Sequence, residues 1–293
     1  MLNFHQALQA ADFYKKVTIQ GMLCVEYKCL DQRDYFDFWT DCGCLVFCTA
    51  GKKLYRSNTA DIEVVPGSTF YLKKGAYTGK NYLGDQYCAL IFFMPDHFIQ
   101  SFLASYPYLE KLTDQIADAW VDGILPIEND PALESYFFSF LHYFSHVVDI
   151  KKEILAIKIK ELLLTLFTQD RHRDIAIYLS SLAQDRYWNF SHLIEENYAS
   201  NMKLEEYAQV CGMSLSTFKR EFLKRYGESP GKWILKRKLQ LAARLLRQSD
   251  KIVNEISFQC GFESPSHFIR VFKKHYGATP LKYRTQKATS TFS

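Results

Sequence analysis

At 293 residues the chain exceeds what one hydrophobic core usually serves, so two domains are expected. A hydrophobic share of 48% and a charged share of 23% exclude disordered and fibrous classes. No apolar run approaches the ~18 residues of a bilayer span, and MLNFHQALQAADFYKK lacks a signal peptide's basic start and apolar stretch, so a cytoplasmic protein without membrane contact is expected, its eight cysteines reduced.

The formal charge of +4 conceals a division. Residues 185–293 hold nineteen Lys/Arg against ten Asp/Glu, a formal +9, whereas residues 1–184 hold seventeen against twenty-two, a formal −5. A basic half is the footprint expected for a polyanion such as nucleic acid.

Residues 17–94 read as strands, over 22–28, 34–39, 44–50, 53–57, 62–65, 69–74 and 87–93, separated by Gly51, Pro66-Gly67, Gly75, Gly79 and Gly84. Short, evenly spaced strands point to a sandwich or small barrel. The segment VPGSTFYLKKGAYT, 65–78, resembles the cupin-like core of many bacterial regulators. None of the eight histidines lies between 17 and 94, which excludes a His-ligated metal in that barrel. Cys42, Cys44 and Cys48 share strand parity, so their thiols face one side. A redox or metal sensor needs paired thiolates; no CxxC occurs, and buried thiols are the expectation.

From Pro95 the pattern turns helical. A short helix is expected over 95–105, and a longer one starts at Pro131 with Leu133, Tyr136, Phe137, Phe140, Leu141, Phe144 and Val148 on one face. After Lys151 and Lys152, residues 154–167 are apolar nearly all round, so that helix must be buried against the barrel or a second copy of the chain. A short helix over 175–182 leads to the boundary near residue 185.

The basic half repeats itself at an offset of fifty residues: SLSTFKREFLKRYGESP from Ser214 and SPSHFIRVFKKHYGATP from Ser264. In each copy a Ser stands where a helix begins, and Pro265 occupies a first helical position. With Phe218 and Phe222 turned to the core, Ser216, Arg220, Leu223 and Lys224 fall opposite and Lys219 on the flank. In the second copy Phe268 and Phe272 anchor, while Ser266, Arg270, Lys273 and Lys274 face out beside Ile269. Each copy follows a short helix ending in Cys-Gly, with small Ala208 or Ser257 at the crossing and Gly212 or Gly261 in the turn. This is the helix-turn-helix pattern, used twice. Cys211 and Cys260 read as core residues. Residues 230–248 form one connecting helix, a rod of about 25 to 29 Å at ~1.5 Å per residue.

Residues 187–284 resemble the DNA-binding domain of the AraC/XylS family of bacterial transcription regulators. The second unit carries the resemblance through Gly261, Phe262, Ser266, Phe268, Phe272, Lys273, Gly277, Thr279, Pro280, Tyr283 and Arg284. GMSLSTFKREF most resembles ExsA-type activators of type III secretion genes, and the likeness continues into VPGSTFYLKKGAY and KIKELLLTLF. Two departures stand out: Ser257 where Ala is usual, and Lys203 where a capping Ser or Thr is common, which predicts a fraying first helix.

The resemblance implies an α+β chain of two domains. Residues 1–184 form a regulatory domain, a cupin-like β-barrel at about 17–94 with a helical dimerisation arm at about 95–183; residues 185–285 form an all-α double helix-turn-helix, and 286–293 a tail. It further implies a DNA-binding transcription activator whose DNA-facing residues are Ser214, Ser216, Thr217, Lys219, Arg220 and Lys224 in one groove and Ser264, Ser266, Ile269, Arg270, Lys273 and Lys274 in the next. Arg suits bidentate guanine contact, Ile269 a thymine methyl, and Lys224, Lys273 and Lys274 phosphates. The partners implied are double-stranded DNA, RNA polymerase, a second copy through the N-terminal helices, and a regulatory protein or small apolar ligand. The aromatics Phe36, Phe38, Trp39, Phe47, Tyr55, Phe70, Tyr71 and Tyr77 line a ligand site or simply fill a core. No cofactor and no enzymatic activity are expected. A zinc-activated cysteine of the kind that DNA-repair methyltransferases join to AraC-like domains needs spaced thiolates that this sequence does not display.

Overall fold

The computed structural model describes residues 1–30, 33–82, 84–109, 123–145, 152–182 and 186–285. Val148 of the expected arm helix, Lys151, the charge boundary at residue 185 and the tail 286–293 lie outside the described residues. The chain divides into two compact units, Met1–Glu196 and Asn197–Ser293. The division falls beyond residue 185 because the first unit holds Glu196: Lys73 Nζ lies 3.4 Å from its Oε1, and Asn58 Nδ2 donates to its carbonyl at 2.6 Å.

In the first unit the elements run β1 (Leu2–Asn3), α1 (Phe4–Ala10), β2 (Lys15–Ile19), β3 (Met22–Lys28), β4 (Tyr35–Thr40), β5 (Gly43–Ala50), β6 (Lys53–Arg56), β7 (Asp61–Val64) and β8 (Thr69–Leu72). They continue with β9 (Gly75–Asn81), β10 (Cys88–Met94), α2 (Asp96–Ser105), β11 (Ile124–Ile127), α3 (Pro131–Ser145), α4 (Lys152–Thr168), α5 (Arg173–Ser181) and α6 (Arg186–Asn197). The strands make two sheets, ordered β1-β4-β9-β6-β7 and β11-β8-β5-β10-β3-β2.

Alternation along the strands of the larger sheet separates two cores. Val25, Tyr27, Cys44, Val46, Phe70, Leu72, Ile91 and Phe93 face the smaller sheet. Met22, Cys24, Leu45, Phe47, Tyr71, Leu90, Phe92 and Met94 face α2 to α5. A sheet covered on both faces needs apolar residues at every position, which is why the run CALIFFM shows no alternation. Cys42, Cys44 and Cys48 share the inter-sheet core, as their parity requires.

The helical arm differs from expectation in two places. β11 interrupts it, pairing antiparallel with β8 at the sheet edge, where Pro126 sits without disturbing a ladder on both sides. In α4, Leu155, Ile159, Leu162, Leu163, Leu166 and Phe167 are buried, whereas Ile154 and Ile157 are 46% and 67% exposed. The helix thus buries one face within a single chain and shows an apolar strip on the other.

The second unit is all helical: α7 (Leu204–Val210), α8 (Leu215–Tyr226), α9 (Pro230–Gln248), α10 (Val253–Gln259), α11 (Pro265–Tyr276) and α12 (Pro280–Thr285). Phe268, Phe272, Ile256, Cys260, Phe262 and Leu246 form the core of its second half. In the first half Phe218 and Phe222 are buried, with Phe222 and Trp233 edge to face at 5.6 Å.

Candidate nucleic-acid interface

Matched backbone bonds build the two turns. Gly212 N donates to Gln209 O at 2.9 Å and Met213 N to Ala208 O at 2.8 Å; Gly261 N donates to Phe258 O at 2.9 Å and Phe262 N to Ser257 O at 3.1 Å. Both glycines sit in the left-handed region, at φ 64° and 71°, a conformation that Gly adopts without steric cost. Ala208 and Ser257 are buried at the crossings, Cys260 is buried, and Cys211 is half-buried.

The second helix of each unit begins on its serine. Ser214 Oγ accepts from Thr217 N and Ser264 Oγ from His267 N, each at 3.2 Å, and each helix stops on a left-handed glycine, Gly227 or Gly277. Lys203, which has no acceptor to offer α7, is bypassed: its backbone N donates to Glu206 Oε2 at 2.7 Å, so the helix start is closed from within.

On α8, Ser214, Ser216, Lys219, Arg220 and Lys224 are exposed and Thr217 is half-buried. Thr217 Oγ1 accepts from Ser214 Oγ at 3.0 Å, and Ser214 Oγ also lies 3.0 Å from Ser216 Oγ, so capping engages part of this hydroxyl cluster. Arg220 reaches out with only a 4.0 Å approach to Glu221. On α11, Ser264, Ser266, Ile269, Arg270, Lys273 and Lys274 are all exposed. Ser216, Arg220 and Lys224 on α8 and Ser266, Arg270, Lys273 and Lys274 on α11 lie opposite the buried phenylalanines, Lys219 and Ile269 on the flank, and Ser214 and Ser264 at the caps. Lys224, Lys273 and Lys274 also stand in last turns, where cations complement the helix dipole.

Two positioning residues lie away from the strips, and the sequence reading gave neither a structural role. Arg284 closes the end of α9, donating from Nε to Leu246 O at 3.3 Å and from Nη2 to Lys251 O at 2.5 Å. Lys238 donates to Gly261 O at 2.8 Å, and burial lowers its pKa to about 8. Arg284 was visible as a motif position; Lys238 gave no signal, because on the amphipathic pattern of α9 it reads as a solvated charge. Among the described residues no three His, Cys, Asp or Glu side chains gather as a metal-holding group.

A β-rich unit followed by two alike helix-turn-helix units, joined by the 19-residue α9, defines a transcription regulator with a separate DNA-binding part. Comparison with known proteins narrows the class. Residues 43–178 match the family described as ExsA N-terminal regulatory domain and residues 207–286 the helix-turn-helix domain family. The virulence regulon transcriptional activator VirF of Yersinia enterocolitica is 27% identical over 248 residues, 82% of this chain and 88% of its own. The transcriptional regulator ExsA of Pseudomonas aeruginosa is 26% identical over 226 residues, 76% of this chain and 79% of its own. The solved structure of ToxT from Vibrio cholerae covers 90% of this chain and 98% of its own at 14% identity, with a TM-score of 0.41. The chain thus joins an ExsA-type N-terminal regulatory domain to an AraC-type helix-turn-helix domain, and over most of its length it is similar to transcriptional activators of that kind.

Proposed function

We propose that this regulator is an activator that sets α8 and α11 into successive major grooves of one promoter, with residues 185–285 reading DNA and residues 1–184 controlling the reading. The observation that carries this is the pair of exposed strips, Ser216, Lys219 and Arg220 on α8 and Ser266, Ile269 and Arg270 on α11, spaced by α9, a rod of about 28 Å at ~1.5 Å per residue. Successive grooves lie ~34 Å apart. Because Lys219 corresponds to Ile269 and Thr217 to His267, the two strips present different chemistry, and the site is asymmetric. Activation requires contact with RNA polymerase beside the bound DNA, in the cytoplasm, and binding rather than catalysis is the whole activity.

Control by a docking protein fits the first unit better than control by a ligand between its sheets. The inter-sheet space is filled by rings packed on one another: Phe36 on Phe38 at 5.6 Å, Phe38 on Tyr77 at 5.5 Å and Tyr55 on Phe70 at 5.1 Å. The exposed Ile154 and Ile157 strip of α4 supports pairing with a second copy, and the resemblance to secretion activators supports a protein regulator. Genome-wide mapping of bound sites followed by footprinting tests the proposal. Protection of two successive grooves on an asymmetric sequence supports it; protection of a single groove overturns it.

A further inference from the structure

Lys53, the first residue of β6, is fully enclosed at 0% exposure. Its ammonium sits within four aromatic rings, with Nζ 4.6 Å from the centroid of Phe36, 4.7 Å from Tyr87, 5.4 Å from Tyr27 and 5.7 Å from Tyr55. The cage aims Nζ at sulfur: Cys29 Sγ lies 3.2 Å away, and Cys29 Sγ in turn lies 3.4 Å from Asn81 Oδ1. Cys29 follows β3 directly and is only partly covered. The cysteine is therefore partly exposed while its sulfur is held against a nitrogen.

The neighbouring thiols are placed differently. Burial pushes Cys24 and Cys44 well up, Cys48 up to about 11, and Cys42 and Cys88 in the same direction, so all five are held as protonated, weakly nucleophilic thiols. Reactive cysteines sit in electropositive, partly exposed surroundings, and the contact with Lys53 gives Cys29 such surroundings.

We propose that Cys29 and Lys53 form an oxidation site, at which a hydroperoxide converts the thiol to a sulfenic acid and Lys53 captures it as a sulfur–nitrogen bond. In the first step Sγ attacks a peroxide oxygen; the O–O bond breaks, an S–O bond forms, and with hydrogen peroxide one water leaves with the thiol proton. In the second, the Lys53 ammonium gives one proton to solvent; the lone pair of the resulting amine attacks sulfur, the S–O bond breaks, and the departing hydroxide takes a further proton from nitrogen as a second water. The thiol sulfur is oxidised by two electrons and the peroxide is reduced; no further reductant or oxidant is needed. Sulfenic acids condense with nearby nitrogen or sulfur nucleophiles, and a nitrogen fixed at contact distance has a large advantage over any in solution. The product ties the end of β3 in the larger sheet to the start of β6 in the smaller one, a covalent staple across the sandwich.

The test is peptide mapping of the full-length protein after hydrogen peroxide treatment, denatured and digested without reductant. The expected result is one cross-linked species containing Cys29 and Lys53, lighter by about 2 Da than the separate peptides, with tryptic cleavage after Lys53 lost and restored by dithiothreitol. Lys53→Arg keeps a cation in the cage but removes the amine, so Cys29 should stop as a sulfenic acid that dimedone labels, whereas the wild type escapes labelling. Cys29→Ser should retain full cleavage after Lys53. Unmodified Cys29, a disulfide from Cys29 to Cys48 or Cys88, or oxygen addition without a bond to Lys53 would each overturn the assignment. The wild-type map decides even if a variant fails to fold, as circular dichroism would show.

Discussion

The Cβ that Gly261 lacks would stand 2.2 Å from the carbonyl oxygen of Ala199, and 2.8 Å from that of Ser200. Among the described residues nothing lies within 4 Å of the same position on Gly212, its counterpart in the first helix-turn-helix. Both glycines have positive φ, so either one replaced by alanine bears about 1 to 2 kcal/mol of left-handed strain. At Gly261 a backbone collision is added that no rotamer relieves. Gly261→Ala is therefore expected to cost more than about 4 kcal/mol and Gly212→Ala only the smaller amount. Urea titration of the full chain, followed by tryptophan fluorescence, compares them; equal midpoints would show that the segment at Ala199 yields freely.

Ser257 occupies the crossing position of the second helix-turn-helix at 0% exposure, and among the described residues its hydroxyl has no hydrogen-bond partner. A buried hydroxyl left unsatisfied carries its desolvation cost without return. Ser257→Ala should raise stability by roughly 1 kcal/mol, whereas Ala208→Ser, the reciprocal change in the first helix-turn-helix, should lower it by a similar amount. Thermal denaturation of both variants reads the sign directly.

The half-buried Lys238 donates to the turn carbonyl of Gly261, and desolvation brings its pKa from the ordinary 10.5 to about 8. Because the folded pKa lies below the unfolded one, the unfolded chain binds more protons between these values, and stability rises with pH across that window. The rise is lost as pH falls through about 8. Buried Tyr207 and Cys260 have raised pKa values and act in the opposite direction at high pH, so the signal is the difference between wild type and Lys238→Met. That difference should favour Lys238→Met by a constant amount below about pH 8 and shrink between about pH 8 and 10.5. A flat difference profile would place the ammonium in water.

Much of the second unit was legible because a helix-turn-helix needs particular residue types at fixed places: serine caps at Ser214 and Ser264, glycine turns, and paired phenylalanines. The first unit was legible where strands were apolar. β9 was missed because Gly75, Thr78, Gly79, Lys80 and Asn81 look like a turn; yet Gly79 lies opposite Phe36 in the register, and its missing Cβ makes room for that ring, 2.3 Å away. Lys53 and Lys73 were unreadable for a different reason. Each belongs to a Lys-Lys pair, and which lysine turns inward depends on the long-range partners that meet it, Cys29 in one case and Glu196 in the other.

For the DNA-facing strips, the chemistry of each side chain separates two kinds of loss. Arg220 and Arg270 stand mid-helix on the exposed faces, and in the proposed docking a guanidinium there would reach base edges bidentately. Arg220→Ala or Arg270→Ala should cost roughly 1 to 3 kcal/mol on the mapped promoter and little on random DNA. Lys274 lies in the last turn of α11, and in the proposed docking its ammonium would meet phosphates whatever the sequence. Lys274→Ala should weaken binding to all DNA and reduce the slope of log affinity against log salt by about 1. Ile269→Lys gives the second strip the chemistry of the first, so it should shift base preference rather than strength. Fluorescence anisotropy on promoter and scrambled duplexes over a salt series measures all four. If the arginine variants lost affinity equally on both duplexes, their role would be phosphate contact, and the readout would have to come from Ser216, Ser266 and the hydroxyl cluster at Ser214.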